Sequence, residues 1–227
     1  MPDRSAGRVS AVCAVAGALL LLLGTYLHPM SADPNDALAA FTEYAADHLW
    51  VASHLTQLAG VALMVAALIF LSHELDSTSA RVAAGGAIAS LALAAALQAV
   101  DGVALKRMVD AWAMAPADEK ALAFHAAFAV RQIEVGLAAM FSLALGTSAL
   151  LYGIALMTSS LYPRWLGIVA ILGGGTNAAA GVVMAYTGFS DASMNVSMPA
   201  SLVMLIWMIA IGVLMWRHST ASAAAGT

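Results

Sequence analysis

The sequence predicts an all-α membrane protein built as a bundle of six transmembrane helices, and three observations predict it. Of 227 residues, 62% are hydrophobic and 10% charged, against about 45–50% and about 25% in soluble domains. Mean hydropathy is +0.88. Six apolar stretches approach the roughly 20 residues that a helix needs to cross the hydrocarbon core. The chain is read as a single polytopic domain over 1–227.

The first span, 9–27, follows Arg4 and Arg8. Gly24, Thr25 and Tyr26 at its end do not form an A-x-A cleavage pattern, so a retained helix is expected over a cleaved signal. The other spans are 50–72, 82–100, 135–157, 165–187 and 200–216, the last opened by Pro199. Residues 218–227 are expected to be a disordered cytoplasmic tail. If the spans alternate, Arg4, Arg8, Arg81, Arg164 and Arg217 all fall on one side. The positive-inside rule then puts both termini in the cytoplasm of a cell-membrane protein. Lys106, Arg107, Lys120 and Arg131 lie on the other side and count against that orientation.

Two connections carry structure of their own. Asp33-Pro34-Asn35-Asp36 reads as a turn with a helix cap. Leu38, Phe41, Ala45 and Leu49 then repeat at helical spacing, which predicts a short outer helix. The Gly and distant Glu of a calcium loop are missing. No residue breaks a helix from Val82 to Met114, and Ala115-Pro116-Ala117-Asp118-Glu119 marks a turn into a fresh helix reaching about Ser159. Helices of that length exceed the hydrocarbon core. A helix 3–helix 4 hairpin that projects beyond the membrane is therefore expected.

The scarce polar residues gather on the outer side. Counting along the helices places His54, Gln57, Gln98, Asp101, Arg131 and Glu134 near the outer boundary, with Asn177 about two-thirds of the way up the fifth span. With the hairpin turn near Ala115–Pro116, residues at equal height sum to about 231. That register predicts an Asp101–Arg131 ion pair, a Gln98–Glu134 hydrogen bond and His125 beside Lys106. Such pairing locks helices in register. Ionisable groups gathered under an outer mouth also line sites.

Ala127-Phe-Ala-Val-Arg131-Gln132-Ile133-Glu134-Val135 opens the fourth span with an Arg-x-x-Glu pair. Leu161-Tyr162-Pro163-Arg164-Trp165-Leu166-Gly167 precedes the Gly-rich fifth span. Together these segments resemble a bacterial six-helix integral membrane family catalogued only as a domain of unknown function. The resemblance implies six helices in a bacterial cell membrane, marks Arg131 and Glu134, and implies no reaction.

Several function classes find no support. Net charge is −4 without a basic stripe, which argues against nucleic acid as a partner. Cys13 stands alone, so an intrachain disulfide or Cys-rich metal site is excluded. There is no Gly-x-x-x-x-Gly-Lys or His-Glu-x-x-His motif. Gly173, Asn177 and Gly181 recur every four residues as a packing stripe. No metal and no cofactor are expected; a b-type haem held by His54 and His125 is an alternative that their different heights disfavour. A transporter should show polar groups along both halves, and here the inner half is apolar.

The expected role is non-catalytic binding of a small amphiphile or lipid, or service as a partner subunit. The outer-leaflet pocket would be lined by His54, Gln57, Gln98, Asp101, Arg131, Glu134 and Asn177. Membrane lipids are the expected surroundings, and a homo-oligomer is compatible with the sequence. The alternative is a membrane-embedded enzyme with acid–base chemistry on Glu134, Asp101 and His54.

Overall fold

A computed structural model describes residues 4–224, with side chains from Ser5 to Thr220. No strand occurs among the described residues. The helices are α1 (Arg4–Leu27), α2 (Ala37–Ala46), α3 (Trp50–Leu75), α4 (Thr78–Gln98), α5 (Lys106–Met114), α6 (Lys120–Thr158), α7 (Arg164–Thr187) and α8 (Asp191–Ala224). A π-helical segment, Ala99–Leu105, joins α4 to α5 without interrupting the helical path. Among the described residues, six helices are long and apolar enough to cross a membrane: α1, α3, the continuous α4–α5 rod, α6, α7 and α8.

These six close into a ring. Each packs on its neighbours in chain order, α1 on α3, α3 on α4, α4 on α6, α6 on α7 and α7 on α8, and α8 returns to α1. Short connections make successive helices antiparallel, the up-and-down arrangement of a helical bundle. The seams are small residues: Ala11, Ala14, Ala83, Ala87 and Ala170 are all buried. Lipid tails are as apolar as the side chains, so close approach and hydrogen bonds must hold the seams instead. Ser148 Oγ donates to Ala83 O at 2.6 Å and Trp207 Nε1 to Leu166 O at 2.9 Å, while Tyr152 OH reaches from α6 past α4 to Leu68 O of α3 at 2.6 Å.

The α6–α7 seam is the tightest. A Cβ added to Gly146 would stand 2.4 Å from Ala178 N and 2.5 Å from Gly174 O. Gly174 and Gly181 meet α6 in the same way, whereas Gly173 faces Met204 of α8. The glycine stripe of the sequence therefore serves two neighbours.

Three boundaries differ from expectation. Pro199 lies inside α8, not at its start. Ser190 begins the helix instead, its carbonyl accepting from Met194 N at 2.9 Å, and the interior proline merely forgoes one donor. The stretch expected as a disordered tail is helical through Ala224, and 225–227 lie outside the described residues. Ser219 and Thr220 hydroxyls bond the Trp216 and Arg217 carbonyls, and the alanines beyond favour helix. Of the stripe expected for α2, Leu38 is exposed and Leu49 falls beyond the helix end, while Ala40, Phe41 and Tyr44 are the buried face. The aromatic rings of α5 and α6 select that face: Phe41 stands 6.1 Å from Trp112 and 5.5 Å from Phe124 between ring centroids.

The glycine seam gives a direct test. Gly146→Ala forces the α6 and α7 backbones apart and should lower the melting temperature in detergent by several degrees, an overpacking cost of about 1–3 kcal/mol. Gly85→Ala, where an added Cβ meets nothing within 4 Å, should leave it unchanged or raise it slightly. Equal melting temperatures for the two variants would contradict the close approach.

Candidate functional site

The end of the ring that carries α2 holds the buried His54, Arg131 and Glu134. α2 is fixed there at both ends. Asp36 caps it by accepting from Leu38 N and Ala39 N, both at 3.1 Å. Lys106 Nζ closes the other end, donating to Tyr44 O at 2.9 Å and Ala45 O at 3.2 Å while pairing with Asp110 at 2.8 Å. A cation at exposed helix carbonyls also opposes the helix dipole. Glu43 draws in the connection from α1 by accepting from Ser31 N and Ala32 N.

Beneath α2 the π segment presses on α3. A Cβ on Gly102 would lie 2.6 Å from His54 Cβ, so only glycine permits this approach. Asp101, beside it, then meets His54: Oδ2 to Nε2 is 2.9 Å. Trp50 Nε1 donates to the Asp101 carbonyl at 3.0 Å, meeting an acceptor in the π-helical stretch. His54 Nδ1 lies 2.6 Å from Trp50 O, an atom that only accepts, so Nδ1 carries the hydrogen. His28, just past α1, repeats the pattern with Nδ1 2.7 Å from Pro29 O. Its ring stands 5.0 Å from His54 and 4.7 Å from Trp50. Burial, with His54 beside it, holds the His28 imidazole below its ordinary value.

A second group sits across from this one. Arg131, 4% exposed, donates to Tyr44 OH at 3.1 Å and Pro34 O at 3.0 Å and lies 3.4 Å from Glu134, which is equally buried. Its guanidinium also packs over the Tyr44 and Phe189 rings at 5.4 and 5.2 Å. Burial pushes the Tyr44 hydroxyl up to about 12, so it stays protonated.

The expected hairpin register fails in each of its pairs. Asp101 pairs with His54 instead of Arg131, and Arg131 turns to Glu134 and Tyr44. Gln98 Nε2 donates to Gln57 Oε1 at 3.2 Å, not to Glu134. Lys106 serves α2, and His125 is exposed beside Phe124. For Asp101 and Gln98 the register assumed α-geometry through residues 99–105, where the helix is π; Lys106, between that segment and the turn, is taken up by the carbonyls of α2 and by Asp110. Of the seven candidate residues, six gather at the α2 end in three sets, His54/Asp101, Gln57/Gln98 and Arg131/Glu134. Asn177 lies deeper and donates to Ser142 O at 3.2 Å. Sequence reasoning missed His28 and Tyr44, and gave Lys106 the wrong partner. His28 was legible in principle, because it ends the first span at the height where His54 begins the second.

The interior of the ring is not filled. A cavity of about 630 Å³ lies within it, lined by α1, α3, α6, α7 and α8. Thr25, Ser142, Asn177 and Ser201 are its polar side chains among Leu, Met, Val and Trp207. None of His54, Asp101, Arg131 or Glu134 lines it. Along α3 its wall begins at Val61, one turn beyond Gln57 and about two turns beyond His54.

Fold and composition define an integral membrane protein with six apolar helices and a polar cap at one end. The chain belongs to the family described as a domain of unknown function, DUF4386, whose model matches residues 9–215. No curated protein and no solved structure matches it.

The buried Arg131–Glu134 pair can be tested as a unit. Glu134→Leu leaves a buried guanidinium uncompensated, at a cost of about 3–5 kcal/mol. Arg131→Met/Glu134→Leu removes both charges and should recover part of that loss. A double-mutant cycle on thermal unfolding measures the coupling, and strictly additive losses would contradict it.

Proposed function

We propose that this protein is a multi-pass protein of the bacterial cell membrane that binds a small amphiphile or single lipid. The observation that carries the reading is the cavity of about 630 Å³ inside the helical ring. Its size falls within the range of ligand sites, about 300–1,000 Å³, and so does its chemistry, apolar walls with few polar groups. It also has a route from the bilayer. Leu22 of α1 and Leu202 of α8 line it and are about half exposed. An acyl chain can enter sideways between α1 and α8, with its polar head directed toward Thr25 and the α2 end. The binding position is therefore deeper than the seven candidate residues suggested, and Asn177 alone among them lines it.

Binding is favoured over catalysis because His54, Asp101 and Glu134 do not open onto this cavity. An acid–base pair must reach the atom it protonates.

The Leu205→Trp and Ser201→Phe substitutions fill the cavity from α8. Native mass spectrometry of the purified protein should show a co-purifying amphiphile in the wild type and at least a tenfold lower occupancy in the double variant. Helicity and monodispersity should be retained. A wild-type protein free of amphiphile, or a folded variant that keeps it, would sink the reading.

Both termini are proposed to be cytoplasmic. Arg8, Arg81, Arg164 and Arg217 lie toward the end of the ring opposite α2. At the α2 end, Lys106 and Arg131 are each paired with a carboxylate. In a Cys13→Ser background, Asn35→Cys should react with a membrane-impermeant maleimide in intact cells, and Ser77→Cys only after lysis. The reverse pattern inverts the orientation.

A further inference from the structure

The cluster of His28, His54 and Asp101 has an electrostatic imbalance that its own hydrogen bonds do not resolve. One ring nitrogen of each histidine and one Asp101 oxygen lie within 4.8 Å of one another. Each imidazole donates its Nδ1–H to a backbone carbonyl, Pro29 O for His28 and Trp50 O for His54. That fixes the tautomer and leaves a lone pair on each Nε2, the usual outer-sphere arrangement of a metal-binding histidine. The His54 lone pair then faces Asp101 Oδ2 at 2.9 Å. Two acceptors at that distance require a cation between them, either a proton or a metal ion.

The surroundings add negative charge and no further cation. Asp101 Oδ1 and Asp47 Oδ2 are both buried without a hydrogen-bond partner among the described residues. Asp47 stands at the end of α2, three residues before Trp50. Arg131 is committed to Glu134, Tyr44 and Pro34, and Lys106 to Asp110 and the end of α2. A proton shared by His54 and Asp101 would account for those two groups. It would not account for His28 converging on them, nor for two orphaned carboxylate oxygens.

We propose that His28, His54 and Asp101 bind one divalent transition-metal ion of the zinc or iron(II) class. Two imidazoles and a carboxylate suit these ions, whereas calcium and magnesium take all-oxygen sets. Ligand bonds of about 2.0–2.1 Å in tetrahedral geometry hold donor atoms about 3.3 Å apart. Loading therefore draws His28 inward, and His28 sits in the connection after α1, outside any helix. Three protein ligands leave a coordination position open, the pattern of reactive rather than purely structural sites. The site lies at the polar end of the ring and is separate from the amphiphile cavity, so its test stands independently of that reading.

The test uses full-length protein purified through a tag without histidines, stripped with chelator and dialysed against zinc or cobalt(II). One ion per chain is expected by elemental analysis, with the visible cobalt bands of a low-coordinate nitrogen–oxygen site. His28→Ala and Asp101→Asn should each weaken binding at least about a hundredfold, since even loss of an outer-sphere partner costs about 10–100-fold. His28→Ala changes a half-buried connection residue, and its unaltered helicity and elution profile keep the result interpretable. His125→Ala, on an exposed position, should bind as the wild type does. Folded wild-type protein that takes up no stoichiometric ion overturns the proposal. So does binding that survives both His28→Ala and Asp101→Asn.

Discussion

The approach of Gly102 to His54 sets the geometry of everything above the helical ring. With no Cβ in the way, the π segment settles onto α3 and carries Asp101 to His54 Nε2. The same approach brings the Asp101 carbonyl to the Trp50 indole. Continuing the turn, it delivers Lys106 to the open end of α2, while Val109 and Trp112 become the floor on which Phe41 rests. One local departure from α-geometry both brings a carboxylate to its histidine and gives the aromatic cluster its floor.

Below that level the constraint is different. A ring of six antiparallel helices has no hydrophobic drive to collapse when lipid is equally apolar. Its seams close through alanine, glycine and single hydroxyl-to-carbonyl bonds, and its centre stays open around Met64, Leu68, Trp207 and Met208. Division of labour follows: the polar cap orders side chains, and the ring encloses volume. The Arg131–Glu134 pair belongs to the cap. It fastens α6 to Tyr44 of α2 and, through Pro34, to the connection after α1.

Legibility in the sequence followed the same division. Composition and periodicity located all six membrane helices, the capped short helix at Asp36 and the turn at Ala115–Pro116, because each depends on local pattern. The polar residues of the cap were also found, since charge is conspicuous in an apolar chain. Their partners were not. A π segment has no compositional mark, and Ala99–Leu105 reads as ordinary helix, so every pair deduced by counting through it came out wrong. Pro199 misled for a related reason. Proline suits a helix start, yet Asp191–Met198 precede it as helix, and one missing donor inside a long span is a small loss. His28 was passed over because it ends a span, where a histidine looks like a boundary residue until the neighbouring helices are in place.

The π segment also fixes how chain length relates to form at this point. A π turn carries more residues than an α turn, so relaxing Ala99–Leu105 to α-helix at unchanged length would rotate all that follows by roughly 100° around the helix axis. Lys106, Val109 and Trp112 would swing away from α2, while α4 and the ring beneath it kept their contacts. Removing one residue at the same time would nearly cancel that rotation. The surplus residue is therefore a spacer, and what it sets is the direction in which the crown of the barrel faces.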